Sequence, residues 1–191
     1  MPKENNFVLA NQPHHVSTMR NETNRERVEK LMVELGRATR KPGRIYFTGG
    51  VSAVLIGWRE MTMDVDLKPD PEPEGIFDVL PRLKDELEIN IELAAPDDFI
   101  PALDGWQGRS VFIARHGGID FFHYDFYAQA LAKIERNHDR DRRDVAQMIE
   151  RGLVERSRLL DCFREIEPKL VRFPAIEPRA FALRVGAACQ P

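Results

Sequence analysis

Cysteine is scarce in this 191-residue sequence, with Cys162 and Cys189 the only two. They make no CxxC pair, no metal-binding spacing and no disulfide framework, so an apolar core has to hold the fold. Long apolar runs are missing as well. No stretch approaches the roughly 20 residues needed to cross a bilayer. The opening MPKENNFVLANQ lacks a basic segment followed by an apolar one, the layout of a secretory leader. Internal repeats and low-complexity tracts are absent, which excludes solenoid and collagen-like architectures. What is present is 42% hydrophobic and 31% charged. That is a globular composition, long enough for one domain of ordinary size. A cytosolic compartment and no membrane partner are the expectation.

The net charge of -3 hides an uneven distribution. Residues 1–63 carry 10 Lys/Arg against 6 Asp/Glu, residues 64–104 carry 3 against 13, and residues 105–191 carry 15 against 12. An acidic segment between two mildly basic ones reads equally as a solvated face or as a cation site flanked by phosphate-attracting surfaces.

Local patterns predict the elements. Residues 1–22 lack periodicity and read as a flexible arm containing His14 and His15. Thr23 with Glu26 looks like a capping box opening a helix over 24–40, with Val28, Leu31, Met32 and Leu35 at helical spacing. Residues 44–48 form a short strand, 51–58 an apolar helix and 64–67 a second strand stopped by prolines. An amphipathic helix over 76–87 and an alternating strand over 89–93 follow. Residues 96–109 read as a loop, and 111–123 as a hairpin turning at Gly117-Gly118. Helices are expected over 127–136, 141–151 and 157–167. The organisation is then an arm (1–22), a core (23–125), a helical segment (126–167) and a C-terminal tail (168–191). Helices alternating with early strands, and hairpin-linked later strands, predict an α/β (α+β) mixed sheet flanked by helices, with further helices C-terminal to it.

Two constellations suggest chemistry. Thr48-Gly49-Gly50-Val51-Ser52 sits at a strand-to-helix junction, where glycine lets backbone approach a phosphate and the helix start offers free N–H groups. It is neither a Walker loop nor a GxGxxG fingerprint, and a tight packing turn explains it as well. Asp64-Val65-Asp66 puts two carboxylates on one side of a strand. Their repulsion disfavours double ionisation unless a cation lies between them, and Mg²⁺ suits such oxygen pairs. Two solvated acids are the alternative.

Together, a strand, Gly49-Gly50 opening a helix, 13 residues and then Asp-x-Asp resemble the signature of the nucleotidyltransferase superfamily, the fold of DNA polymerase β. The resemblance implies a third acid on a neighbouring strand, with Glu92 the first choice and Asp120 the second. Lys133 followed by Arg140-Asp141-Arg142-Arg143-Asp144 is similar to the "Lys … Arg-Asp-x-x-Asp" segment of nucleotidyltransferase-like proteins of bacterial toxin–antitoxin and abortive-infection systems. There the Lys and Asp side chains face the nucleotide, which implies nucleotide contacts for Lys133, Asp141 and Asp144. A salt-bridged solvent face is the reading from charge pattern alone.

The resemblance implies that Asp64, Asp66 and Glu92 hold Mg²⁺ (or Mn²⁺), that Gly49, Gly50 and Ser52 cradle phosphates, and that Lys133 offsets developing charge. The reaction that the resemblance implies is transfer of a nucleoside monophosphate from an NTP to a hydroxyl on RNA, a protein or a small molecule. A catalytically inactive binding or antitoxin-like module of the same fold is the rival. His116, His123 and His138 share no ligand spacing. Trp58, Trp106, Tyr124, Phe126 and Tyr127 read as packing residues.

Overall fold

The computed structural model describes residues 22–190. All of the expected N-terminal arm except Glu22, including His14 and His15, lies outside the described residues. The first helix, α1 (Arg25–Ala38), buries Val28, Leu31, Met32 and Leu35 on one face. Its cap is one residue later than expected: the Asn24 side chain accepts from the Arg27 N–H at 3.0 Å. Thr23, β-branched and fully buried, is instead drawn into β1 (Thr23–Asn24), which pairs with β3 (Met61–Thr62).

The main sheet holds β2 (Gly43–Phe47), β4 (Asp64–Pro69), β5 (Asn90–Leu93), β6 (Val111–His116) and β7 (Ile119–His123) in the order β5-β4-β2-β7-β6. It is mixed, as expected. β2 runs parallel to β7 and β4 to β5, whereas β2/β4 and β6/β7 are antiparallel. Short α2 (Gly49–Ile56) leaves β2 and is buried on nearly every side, which is why it is apolar all round. An amphipathic α3 (Ile76–Glu86) connects β4 to β5.

Strand alternation sorts two cores onto the two sheet faces. Ile45, Phe47, Val65, Leu67, Ile91 and Phe121 pack with α1 and α3. Tyr46 and Tyr124 pack on the other face with Trp106 of the short helix α4 (Trp106–Arg109) and with the C-terminal helices. These are α5 (Phe126–Arg136), α6 (Asp139–Glu150), α7 (Arg156–Ile166) and α8 (Pro178–Ala188). Asn137, in the left-handed region at φ 57°, separates α5 from α6. Two segments depart from expectation. The 96–109 loop contains α4, and the 168–191 tail contains α8, whose Phe181 and Val185 are fully buried. Apolar spacing at 181 and 185 is weak over so short a stretch, so tertiary burial defines that helix. Among the described residues no helix is long and apolar enough to cross a membrane.

Helix α1 meets the β6–β7 turn glycine to glycine. A Cβ on Gly36 would lie 2.4 Å from the His116 carbonyl oxygen, and one on Gly117 2.1 Å from the Gly36 carbonyl oxygen. Alanine is the better helix former, yet Gly36→Ala is expected to destabilise by about 1–3 kcal/mol through overpacking. Urea denaturation checks this, and a gain in stability would show the close approach to be soft.

Candidate active site

The antiparallel pairing of β2 with β4 aligns Phe47 with Leu67, and the Thr48 N–H donates to the Asp66 carbonyl at 3.2 Å. The chain therefore leaves β2 beside the start of β4, where Asp64 and Asp66 face away from the Val65/Leu67 core. Parallel pairing of β4 with β5 sets Asp66 opposite Glu92 and Asp64 opposite Asn90. The Asn90 amide donates to Asp64 Oδ1 at 2.7 Å and to Glu92 Oε1 at 2.9 Å, tying the two acids together. Asp120 is elsewhere. It pairs with Arg44 at the far end of β2 and is bonded by Arg115 at 2.7 Å. The structure thus separates the two candidates for the third acid and brings Glu92 to the site.

These carboxylates line a cleft of about 290 Å³ with Thr48, Gly49, Gln129, Lys133 and Arg136. Gly49 has φ +60°, and a Cβ there would lie 2.6 Å from Asp66 Oδ2. Only glycine allows both the left-handed backbone and this approach. Its N–H donates to Gln129 Oε1 at 3.0 Å. Gln129 also donates to the Tyr124 carbonyl at 2.7 Å and to Ser52 Oγ at 3.4 Å.

Gly50 and Ser52 do not reach the cleft. A Cβ on Gly50 would lie 2.0 Å from Thr62 Oγ1, so this glycine answers to packing under the site. Ser52 is fully buried, with its Oγ 3.3 Å from the Phe47 carbonyl and 3.0 Å from His123 Nδ1. Burial, with Arg25 nearby, pushes the His123 pKa down to about 4, so the ring is neutral near pH 7.

Lys133 and Arg136, three apart on α5, share a helix face toward the acids. Behind them, α6 supplies Asp141 and Asp144, only 3% and 2% exposed. Lys133 Nζ lies 2.6 Å from Asp144 Oδ2 and 3.4 Å from Asp141 Oδ1. Arg136 grips Asp141 bidentately at 2.8 and 2.6 Å. Asp144 Oδ1 also accepts from Trp58 Nε1 at 3.1 Å and Arg59 Nε at 3.0 Å, and Arg59 makes a second contact to Oδ2. Asp141 and Asp144 therefore do not line the cleft. Each is saturated by cations and anchors the residues that do. Burial alone raises the Asp141 carboxyl, but Arg136 and Lys133 outweigh it and hold that group below the usual carboxylate range. Trp58 likewise joins this network instead of serving only as packing.

Asp66 behaves oppositely. Burial, then the neighbouring charges of Asp64 and Glu92, push its carboxyl up to about 6, against the opposing pull of Lys133 and Arg136. Among the described residues no three His, Cys, Asp or Glu side chains form a ready-made metal cage. The oxygen donors Asp64, Asp66 and Glu92 are nonetheless of the kind a divalent cation takes when substrate completes its shell.

Sequence patterns passed over four contributors. Arg136 and Gln129 stand at i+3 and i-4 from Lys133, so helical spacing carried a signal for both. Arg59 and Asn90 are positioned by tertiary contacts that spacing does not encode.

Lys133 is 5% exposed, not a helix-surface lysine. Lys133→Ala should therefore cost about 3–5 kcal/mol of stability, because it leaves buried carboxylates partly uncompensated. A denaturation midpoint within error of wild type would contradict the anchoring role. Asp66 generates a pH dependence. Its folded pKa is raised, so the folded state holds more protons than the unfolded one, and stability falls as pH rises from about 4 through about 6. Asp66→Asn should gain roughly 1–3 kcal/mol at pH 7.5 without metal and nothing at pH 3.5. Thermal melts across that range decide it.

A family model described as nucleotidyltransferase of unknown function (DUF6036) matches residues 19–163. No curated protein and no solved structure matches the chain significantly. The matched span contains the whole main sheet, the Gly49 turn, the three strand acids and the Lys133/Arg136 helix together with its Asp141 and Asp144 anchors. The chain belongs to this nucleotidyltransferase family.

Proposed function

We propose that the protein is a divalent-metal-dependent enzyme that transfers a nucleoside monophosphate from an NTP to a hydroxyl acceptor. The observation that carries this reading is that Asp64, Asp66 and Glu92 share one cleft with Lys133 and Arg136 beside the Gly49 turn. Asp64 and Asp66, with Glu92 alongside, would hold Mg²⁺ or Mn²⁺, which supplies neutralisation of triphosphate charge when bound. The raised pKa of Asp66 fits such a role, since a carboxylate that is buried and crowded by like charge gains most from a cation.

The chain's own residues do the rest. The glycine turn admits phosphate oxygens close to the backbone. Lys133 and Arg136 face the charge that spreads over the transferring phosphoryl group. Asp141 and Asp144 fix these two cations, so little reorganisation is needed as the barrier is crossed. A strand carboxylate accepts the acceptor's proton. The acceptor oxygen–phosphorus bond forms, the bond to pyrophosphate breaks, and pyrophosphate leaves. An acceptor on RNA, a partner protein or a small molecule, in a toxin–antitoxin type of system, rests on the motif resemblance alone.

One observation favours a second reading, a nucleotide- or metal-binding module without turnover: the Gly49 N–H is already taken by Gln129 Oε1. A phosphate seeking that amide has to displace an internal hydrogen bond.

Two measurements separate the readings. Mg²⁺ plus NTP should raise the melting temperature of wild type and leave Asp64→Asn/Asp66→Asn unmoved. Arg136→Ala, at a half-exposed position, should lower pyrophosphate release by on the order of a hundredfold. A wild type that binds NTP but labels nothing across RNA, protein and small-hydroxyl acceptors makes the binding module the correct reading.

A further inference from the structure

The cleft lining is of two chemical kinds. One is the charged set just described, together with Glu135 of α5. The other is the uncharged run Ala94, Ala95, Pro96 and Phe99 that follows β5, with Ala132 of α5. Phe99 is the one aromatic ring in the lining, and it is 54% exposed. A singly exposed apolar residue is common on any surface, so the exposure alone says little. Its mounting says more.

Phe99 leaves a tight turn of one 3₁₀ helix, Pro96–Asp98. The Phe99 N–H donates to the Pro96 carbonyl at 3.1 Å, and the Ile100 N–H to the same oxygen at 3.0 Å. Asp98 closes the turn from the other side, accepting from the Ala95 N–H at 2.8 Å. Asp97 is ion-paired with Lys68, and Pro96 and Ile100, flanking the turn, are both buried. The turn packs against α5, the helix that carries Lys133 and Arg136. A ring that would gain from burial is thus carried half-exposed on a pinned backbone, in the lining of the same cleft as the strand acids, Lys133 and Arg136.

We infer that Phe99 is the nucleobase platform of this site: the base of a nucleoside triphosphate stacks on its ring while the phosphates lie toward Gly49, Lys133 and Arg136. The inference rests on the reading of the cleft as an NTP site and adds the subsite that distinguishes a nucleotide from a bare polyphosphate. Ring stacking is tolerant of base identity, because every base offers a π face. Phe99 therefore contributes affinity for nucleotides as a class.

Calorimetry with Mg²⁺ tests it, using ATP, UTP and inorganic tripolyphosphate as probes against wild type, Phe99→Ala and Phe99→Tyr. Wild type should bind either nucleotide about tenfold or more tightly than tripolyphosphate. Phe99→Ala should lose that advantage while keeping wild-type affinity for tripolyphosphate, and Phe99→Tyr should keep it. A Phe99→Ala protein that still prefers nucleotides to the same degree overturns the platform. So does a wild type that binds NTP and tripolyphosphate equally, which leaves the phosphate site intact. A wild type that binds neither overturns the NTP reading itself, and the platform with it. Phe99→Trp gives an independent readout: its added fluorescence, relative to wild type, should be quenched by NTP and not by tripolyphosphate.

Discussion

Two carboxylates that have almost no access to water, Asp141 and Asp144, organise the functional end of this molecule. A buried ion is tolerated only when charge and hydrogen bonds around it are nearly complete. Here completion comes from two separate places: Lys133 and Arg136 on α5, and Arg59 with Trp58 at the exit from α2. Satisfying these acids therefore fixes the crossing of α5 on α6 and pins the α2–β3 connection to both. The cations that result stand at defined places opposite the strand acids, instead of sampling the rotamers open to a surface lysine or arginine.

The same network sets the cleft's electrical character. If all groups are ionised, the four lining carboxylates Asp64, Asp66, Glu92 and Glu135 outweigh Lys133 and Arg136 by two charges. On the proposed function, a triphosphate entering such a space would meet net repulsion, which a divalent cation held by the strand acids would relieve. Asp66 already relieves part of that crowding by holding its proton unusually tightly.

The portions of this design that were legible in the sequence are those with short-range periodicity. Asp64 and Asp66 could be placed on one strand face because alternation has a period of two, and Gly49 could be placed at a strand-to-helix turn because glycine tolerates a positive φ. Glu92 could be ranked but not separated from Asp120, since that choice depends on strand order: β5 lies beside β4, whereas Asp120 sits at the opposite end of β2. The burial of Lys133 and its pairing with Asp141 and Asp144, which keeps those two acids out of the cleft, were not legible for one reason. A mixed-charge helix looks alike in sequence whether a given charge points to water or inward, and only packing decides. Ser52 and Gly50 were drawn toward the phosphate role by proximity to Gly49, yet a helix start turns successive residues about 100° apart, and these two turn into the core.

Helix α8 lies beyond the span shared with the family, and it touches α5, the helix that carries Lys133 and Arg136. Arg184 donates to the carbonyls of Ile134 and Glu135 at 3.0 and 2.9 Å, neutralising the negative end of α5 at the turn that holds Lys133 and Arg136. Phe181 stacks edge-on against Phe163 underneath. The cooperative folding unit is thus longer than the inherited segment, and whatever binds or displaces those last two dozen residues acts at the back of the helix whose front faces the acids.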